Sequence, residues 1–383
     1  MSMTQTQEHN VPTLRFPEFS GEWFPKTFGD FVVKVKESHN PLKSTNDWPC
    51  IELESLGQGN GQILQTFRAK DLQSIKTKFQ SGDVLFGKLR PYLKKYALVD
   101  FKGVCTSEIW VLRASDISGS FLYYIVQSPK FNQYANIQSG SKMPRSDWNI
   151  VSSITYSLPC DETEQQKIAS FMSSVEGKIE QLGKKKALLE QYKKGMMQKL
   201  FSQELRFKDA QGNDFPDWEG KRLEDVADTT TGSSNREDST EVGEYAFFDR
   251  STDQRASSRY LFDCEAIIVA GEGKDFPPQY FVGKFDLHQR AYATMNFGDN
   301  IGKYLFYWIH FHRYYFLKYS VGSTMPSLRM ASFSNFPVRV PTSKEQKKIA
   351  DFLSSIDQKI DHVSIELEHA KTFKKGLLQQ MFI

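Results

Sequence analysis

A run of 38 residues, Glu164 to Phe201, occurs a second time as Glu345 to Phe382, and every position of the first copy plus 181 gives its counterpart without a gap. Fifteen of the 38 aligned residues are identical, among them Ile168/Ile349, Ala169/Ala350, Phe171/Phe352, Lys194/Lys375, Gly195/Gly376 and Phe201/Phe382. A chain that spells one unit twice reads as an internal repeat.

In the second copy apolar residues recur in alternating steps of four and three at Ile349, Leu353, Ile356, Ile360, Val363, Leu367, Ala370, Leu377 and Met381, the stripe of a coiled-coil seam. The first copy keeps the register at Ile168, Met172, Val175, Ile179, Leu182, Leu189, Met196 and Leu200. Lys374 interrupts the second stripe, and Lys186 and Lys193 the first. These lysines are expected to fix the register of a helix pair, to face a partner helix, or to snorkel to solvent. Each copy predicts a long helix of roughly 57 Å, at about 1.5 Å per residue. One such helix cannot bury its stripe alone, and the simplest partner for each stripe is the other copy. Thr163 with Gln166, and Ser343 with Gln346, are candidate capping boxes. Gly195 and Gly376 sit inside the helical pattern, where a close helix contact would account for both.

The duplication extends beyond the helices. Leu14-Arg15-Phe16 is echoed by Leu205-Arg206-Phe207, and Gly140-Ser141-Lys142-Met143-Pro144 by Gly322-Ser323-Thr324-Met325-Pro326, with Pro159 and Pro341 each 19 residues after the first glycine. Each repeat is therefore a globular segment followed by a helix. Ser81 to Lys88 reads as a turn into a short buried strand and Val104 to Leu112 as another, while Phe121 to Gln127 reads as a helix. Ala266 to Ala270 and Tyr280 to Val282 supply strands to the second segment, before an aromatic stretch from Tyr304 to Tyr319. The expected fold class is α+β (mixed α/β), with several short strands in each globular segment.

At 383 residues the chain is too long for one ordinary core. No apolar run approaches the roughly 18 residues that span a bilayer, and the polar start of the chain has no apolar core of a secretory signal. Cys50, Cys105, Cys160 and Cys264 form no CxxC pair, so a cytoplasmic location is expected, without a zinc site or a disulfide framework. Net charge is only +3, distributed as +4 over residues 1–159, +1 over 160–204, −3 over 205–340 and +1 over 341–383. Any binding of a polyanion must come from local patches.

Several apparent catalytic motifs fail on spacing. Pro216 to Lys221 has the carboxylate and lysine letters of a metal-dependent nuclease, but Asp217 and Glu219 are two residues apart and the matching place in the first repeat lacks the pattern. It reads as a turn that opens the second segment. Gly57 to Gly61 and Gly271 to Lys274 are glycine-rich without the GxxxxGK[ST] pattern of a phosphate-cradling loop. His310 and His312 have no carboxylate or cysteine at ligand spacing, and no NPPY-like tetrapeptide is present to hold a flipped base. No metal and no catalytic residue is expected.

Basic residues are more informative. Lys76, Lys78, Lys88, Arg90, Lys94 and Lys95 lie within 20 residues with Phe86 and Tyr92 interleaved and only Asp83 opposing. Lysine and arginine neutralise phosphates, and arginine can donate to guanine O6 and N7 together, so this run suits a DNA-facing surface. Lys142 and Arg145 flank the first Gly-Ser-x-Met-Pro loop, Arg329 follows the second, and Arg250, Arg255 and Arg259 cluster in the acidic segment. These twelve are the candidate DNA contacts.

The order of globular segment, proline, EQxKIA helix, second globular segment and second such helix resembles the DNA-specificity subunit of type I restriction-modification enzymes. Leu14-Arg15-Phe16-Pro17, Gly82 to Tyr92, both Gly-Ser-x-Met-Pro loops and both helices carry the resemblance, which spans residues 11–383. It implies two target-recognition domains, residues 14–159 and 205–341, after a flexible start at 1–13. Two conserved helices, 160–204 and 342–383, would pair as an antiparallel coiled coil in a pseudo-twofold repeat. Each recognition domain would read one half of a bipartite site in double-stranded DNA, with helix length setting the unread spacer. The chain would be non-catalytic and hold no cofactor. Two modification subunits would bind S-adenosylmethionine and methylate adenine, and two restriction subunits would move and cut DNA with ATP and Mg2+. Ile168, Phe171, Met172, Val175, Ile179 and Leu182, with Ile349, Phe352, Leu353, Ile356, Ile360 and Val363, would pair the helices, Phe171 and Phe352 being open to the modification subunits. The two competing readings are a self-contained nuclease or methyltransferase, and a coiled-coil scaffold for proteins.

Overall fold

The computed structural model describes residues 11–137, 143–250, 254–322 and 324–383. The chain divides into two compact units, the first running to Gly183 and including Ile365–Ile383, the second Lys184–Ser364.

In the first unit the order is β1 (Phe24–Thr27), α1 (Phe28–Phe31), β2 (Val32–Lys34), β3 (Ser38–His39), β4 (Pro49–Ile51), β5 (Phe67–Arg68), β6 (Lys76–Phe79), β7 (Val84–Gly87), β8 (Tyr96–Leu98), β9 (Gly103–Cys105) and β10 (Ile109–Ala114). Then come α2 (Gly119–Gln127), α3 (Pro129–Ala135), α4 (Trp148–Ser152), β11 (Thr155–Leu158) and the long α5 (Glu162–Phe201). One sheet has the order β2-β10-β7-β8, a second β3-β6-β9-β4-β5, and β1 pairs with β11. The two-residue period of a strand explains how β7 and β10 serve both layers. Val84, Phe86, Trp110 and Leu112 point into the core shared with α2 and α3, whereas Leu85, Ile109 and Val111 fill the space between the sheets with Ile51 and Phe79.

The second unit continues with β12 (Glu219–Arg222), β13 (Asp228–Thr231), β14 (Tyr245–Phe248), β15 (Gln254–Ser257), β16 (Phe262–Ala270), β17 (Gln279–Leu287), β18 (Ala291–Met295), α6 (Gly302–His312), α7 (Tyr314–Tyr319), α8 (Met330–Ser334), β19 (Pro337–Val340) and α9 (Ser343–Met381). Its main sheet runs β13-β18-β16-β17-β14-β15, and β12 pairs with β19. β16 alternates as β7 does, Ile267 and Val269 facing α6 and Ala266 and Ile268 the opposite layer.

Both long helices contribute to these cores. Ile168, Met172, Leu377 and Met381 are buried in the first unit, and Met197, Leu200, Ile349, Leu353 and Ile356 in the second. Leu182 and Val363 are also buried, while Val175, Ile179 and Ile360 are half-buried. Lys374 reaches Glu176 at 2.5 Å in the first unit, and Lys193 reaches Asp357 at 2.5 Å in the second. Tyr124 donates to Glu176 at 3.1 Å and Tyr307 to Asp357 at 2.6 Å. Lys186 lies 4.0 Å from Glu190, one turn along its own helix.

Four expectations are corrected. Val104 to Leu112 is not one strand: the Ile109 N–H bonds back to the Thr106 carbonyl at 3.0 Å as the chain turns from the five-stranded sheet into the four-stranded one. The caps are one residue off, because the Asp161 carboxylate accepts from the Thr163 N–H at 2.8 Å and the Thr342 hydroxyl from the Glu345 N–H at 3.5 Å. An added Cβ at Gly195 would meet nothing within 4 Å, and at Gly376 only the Gln380 amide at 3.9 Å, so no close contact accounts for these glycines. Phe171 and Phe352 are covered by their own chain, edge-on to Phe16 at 5.6 Å and to Phe207 at 5.7 Å. Leu188, Tyr192, Ile365 and Phe373 are the exposed apolar side chains of the two helices.

The aromatic stretch is helical and places His310 inside the second unit, where burial first, and then Arg313 and Lys193, push its imidazole down to about 4. Unfolding returns it to about 6.5. The buried neutral ring therefore favours the folded state fully above pH 6.5, and that contribution is lost as pH falls toward 4. The loss is of the order of 3 kcal/mol. Thermal unfolding between pH 7 and 4 is expected to show this slope in the native chain and a flatter one in His310→Phe.

Candidate nucleic-acid interface

Each unit joins three chain segments at one end of a central strand. In the first, Lys88 follows β7: its N–H donates to the Glu108 carbonyl at 2.9 Å, and its own carbonyl accepts from the Ser146 N–H at 2.9 Å. Arg90 donates its N–H to the Pro144 carbonyl at 2.8 Å, and Leu89 bridges Arg145. In the second, Gly271 follows β16 and repeats the pattern. Its N–H donates to the Arg290 carbonyl at 2.9 Å, its carbonyl accepts from Leu328 at 2.8 Å, Gly273 donates to the Pro326 carbonyl at 3.1 Å, and Glu272 bridges Ser327. The described parts of both Gly-Ser-x-Met-Pro loops, Met143-Pro144 and Met325-Pro326, thus close the same kind of junction.

Basic side chains gather there in the first unit. Arg90 and Lys94 are exposed, both with left-handed backbone (φ 53° and 50°), on a loop that presents Tyr92. Left-handed non-glycine residues are uncommon, and here they fold the Pro91–Leu93 turn outward. Lys88 is half-buried beside Lys34, whose ammonium lies 5.0 Å over the Trp148 ring. Burial, then the charges of Lys36 and Lys88, hold Lys34 below the usual lysine range. An added polyanion would relieve that repulsion. Arg145 is clamped by Glu108, with Nε to Oε2 at 3.1 Å and Nη2 to Oε1 at 3.3 Å.

Other candidates lie elsewhere. Lys76 is buried against Glu52, Lys95 donates to the Leu53 carbonyl at 2.7 Å, and Lys78 pairs with Glu37 at 2.6 Å on the five-stranded sheet. Lys142 lies outside the described residues. The run that looked continuous in sequence is divided because β6 and β7 belong to different sheets.

In the second unit Arg290 donates to Glu272 at 2.5 Å and Arg250 to the same carboxylate at 3.4 Å. Glu272, Gln289, Arg290, Tyr292 and Arg329 border a concavity of about 190 Å³. A neighbouring one of about 480 Å³ adds Asn235, Arg236, Arg250 and His288. A segment with net negative charge therefore collects four arginines, 236, 250, 290 and 329, on one surface. Arg255 and Arg259 are spent on internal carboxylates, Asp249 at 3.3 Å and Asp286 at 3.6 Å. Sequence spacing missed Lys34, Lys36, Arg236 and Arg290. Only the alternation in Val33-Lys34-Val35-Lys36 hinted at any of them.

Among the described residues no cluster of histidine, cysteine and carboxylate side chains could hold a metal ion, and no helix is long and apolar enough to cross a membrane. The surface can neutralise phosphates and donate to base edges.

A family model described as the type I restriction modification DNA specificity domain matches residues 32–191 and again 216–369. The chain is 22% identical over 428 residues to the type I restriction enzyme MjaVIII specificity subunit of Methanocaldococcus jannaschii, covering 95% of this chain and 92% of that one. The EcoDI specificity subunit of Escherichia coli is 24% identical over 166 residues, 42% of this chain and 37% of that one. In fold the chain is similar to the S subunit of the type I restriction-modification system from M. genitalium, with TM-score 0.64, 14% identity and coverage of 97% and 99%. A chain solved in a study of type I assembly and conformational transition matches with TM-score 0.59, 18% identity and coverage of 93% and 96%.

Proposed function

Because the chain belongs to the type I restriction-modification DNA-specificity family and is a DNA-binding specificity subunit, we propose that each unit reads one half of a bipartite site in double-stranded DNA through its three-segment junction. The observation that carries this reading is the recurrence of one junction, by the same backbone hydrogen bonds, with different side chains on it. A shared scaffold with divergent tips is what two half-sites of different sequence require. In the first unit Lys34, Lys36, Lys88, Arg90 and Lys94 take phosphates, and in the second Arg236, Arg250 and Arg329.

The recognition domains are residues 14–159 and 205–341, and the helices at 160–204 and 342–383 form an antiparallel coiled-coil pair in a pseudo-twofold repeat. The paired use of Glu176 with Lys374 and Asp357 with Lys193 supports that arrangement, since adding 181 to either residue of the Glu176–Lys193 set yields Asp357 and Lys374. Helix length sets the unread spacer. Two modification subunits, which carry S-adenosylmethionine and methylate adenine, dock on exposed Leu188, Tyr192, Ile365 and Phe373, where bare backbone at Gly195 and Gly376 admits a close helix. Two restriction subunits supply ATP- and Mg2+-dependent movement and cleavage, so this chain itself is non-catalytic.

Methylation-sensitive sequencing of DNA from cells that express the chain with its modification partner is expected to return one bipartite motif. With eight phosphate contacts, binding to that motif should fall roughly 10³-fold or more between 50 and 200 mM salt. Absence of a motif, or a flat salt dependence, would overturn the proposal.

A further inference from the structure

Each junction carries one arginine held by a carboxylate from an adjacent segment of the same junction. In the first unit it is Arg145 on Glu108, and in the second Arg290 on Glu272. The corresponding backbone positions are occupied differently: Arg290 stands where Glu108 does, both carbonyls accepting from the residue that follows the central strand. Glu272 stands where Leu89 does, each bridging the loop residue after the proline. The pair has thus been built twice from different positions of one framework. Carboxylate-paired arginines occur elsewhere, Arg113 on Asp83 among them, but not at this place.

The geometry leaves a donor edge free in both cases. Arg145 uses Nε and Nη2 on Glu108, so its Nη1 side points away from the clamp. Arg290 uses Nη1, which leaves the Nε and Nη2 edge. Both guanidinium groups are half-exposed, whereas Glu108 and Glu272 are largely covered, at 28% and 17%. A clamped arginine has already lost much of its rotamer freedom, so docking it on a base costs less ordering. It also cannot swing to a neighbouring phosphate without leaving its carboxylate. A planar, oriented pair of N–H donors fits one base edge in the major groove, guanine O6 with N7.

We infer that Arg145 and Arg290 are the guanine-reading residues of the two units, so that each half-site contains a G·C pair recognised through guanine N7 and O6. This rests on the DNA-reading function proposed above. Unclamped Arg90, Lys94 and Arg329 contribute affinity without base preference.

The test uses the full chain with its modification partner and duplexes of the mapped motif in which single guanines are replaced by 7-deazaguanine, which lacks the N7 acceptor. One replacement in each half-site is expected to weaken binding by roughly 5- to 150-fold. Arg145→Gln should lose a similar factor on natural DNA, show no further loss with 7-deazaguanine in its own half-site, and remain fully sensitive in the other half. Arg290→Gln should show the reverse. A half-site without guanine, insensitivity of the unmodified protein to every replacement, or undiminished sensitivity in both variants would overturn the inference while leaving the mapped motif, and with it the proposed function, intact. Failure to obtain any motif would instead strike the proposed function. The measurements on unmodified protein decide the matter even where a variant folds poorly.

Discussion

Replacing Glu345 with alanine is expected to cost the second unit about 3–5 kcal/mol, the range for removing one partner of a buried ion pair. Glu345 is fully buried and accepts from Arg206 at 3.2 and 2.8 Å and from the Trp218 indole at 3.1 Å. Truncation leaves a guanidinium and an indole N–H without an acceptor, where water reaches them poorly. The same acceptor joins three parts of the unit: Arg206 ahead of β12, Trp218 at the strand's edge and the first turn of α9. Glu164 repeats the device in the first unit, with Arg15 at 2.7 and 2.8 Å and Trp23 at 3.3 Å. Urea unfolding of the full chain measures the loss, and Glu345→Gln, which keeps an acceptor but not the charge, should recover part of it. A loss below about 1 kcal/mol would mean that the clamp behaves like an exposed pair.

Reversing the charge of Glu176 should be nearly as severe, at roughly 3 kcal/mol. Glu176→Lys sets two ammonium groups side by side, because Lys374 is held there by Glu176 at 2.5 Å and Gln127 at 2.7 Å. Lys374 is 14% exposed and Glu176 25%, so solvent screens this pair only in part. Restoring opposite charge by Glu176→Lys with Lys374→Glu should recover most of the loss, and that non-additivity separates the pair from mere loss of packing. Recovery will be incomplete, because the Tyr124 hydroxyl, which donates to Glu176, then faces a lysine. An additive double variant would show that the two lysines in the stripes do not set the register.

The helices were legible because a period near 3.5 over 38 residues has no competing explanation, and the lysines that broke it were the informative positions. The strands at β7, β16 and β17 were legible from short apolar runs with β-branched and aromatic residues. The junction was not, because nothing in local sequence announces that Lys88 will meet Glu108 and Ser146, residues 20 and 58 positions away. Lys76 illustrates the opposite failure. It shares a run with Lys88 and Arg90, yet β6 turns it inward against Glu52 while β7 carries the next basic residues to the junction.

By itself the sequence determined the duplication, the two long helices, the α+β class and a resemblance to one family, since each of these follows from periodicity or from residue identity at fixed offsets. Tertiary structure alone decided which charges remain available. Arg255, Arg259 and Lys76 are satisfied by carboxylates distant in sequence, whereas Lys34, Lys36, Arg236 and Arg290 are delivered to the surface by strands that pair across long separations. The physical reason is that availability depends on the sum of near neighbours in space. In a fold built from non-local strand pairing, most of those neighbours lie tens of residues apart along the chain.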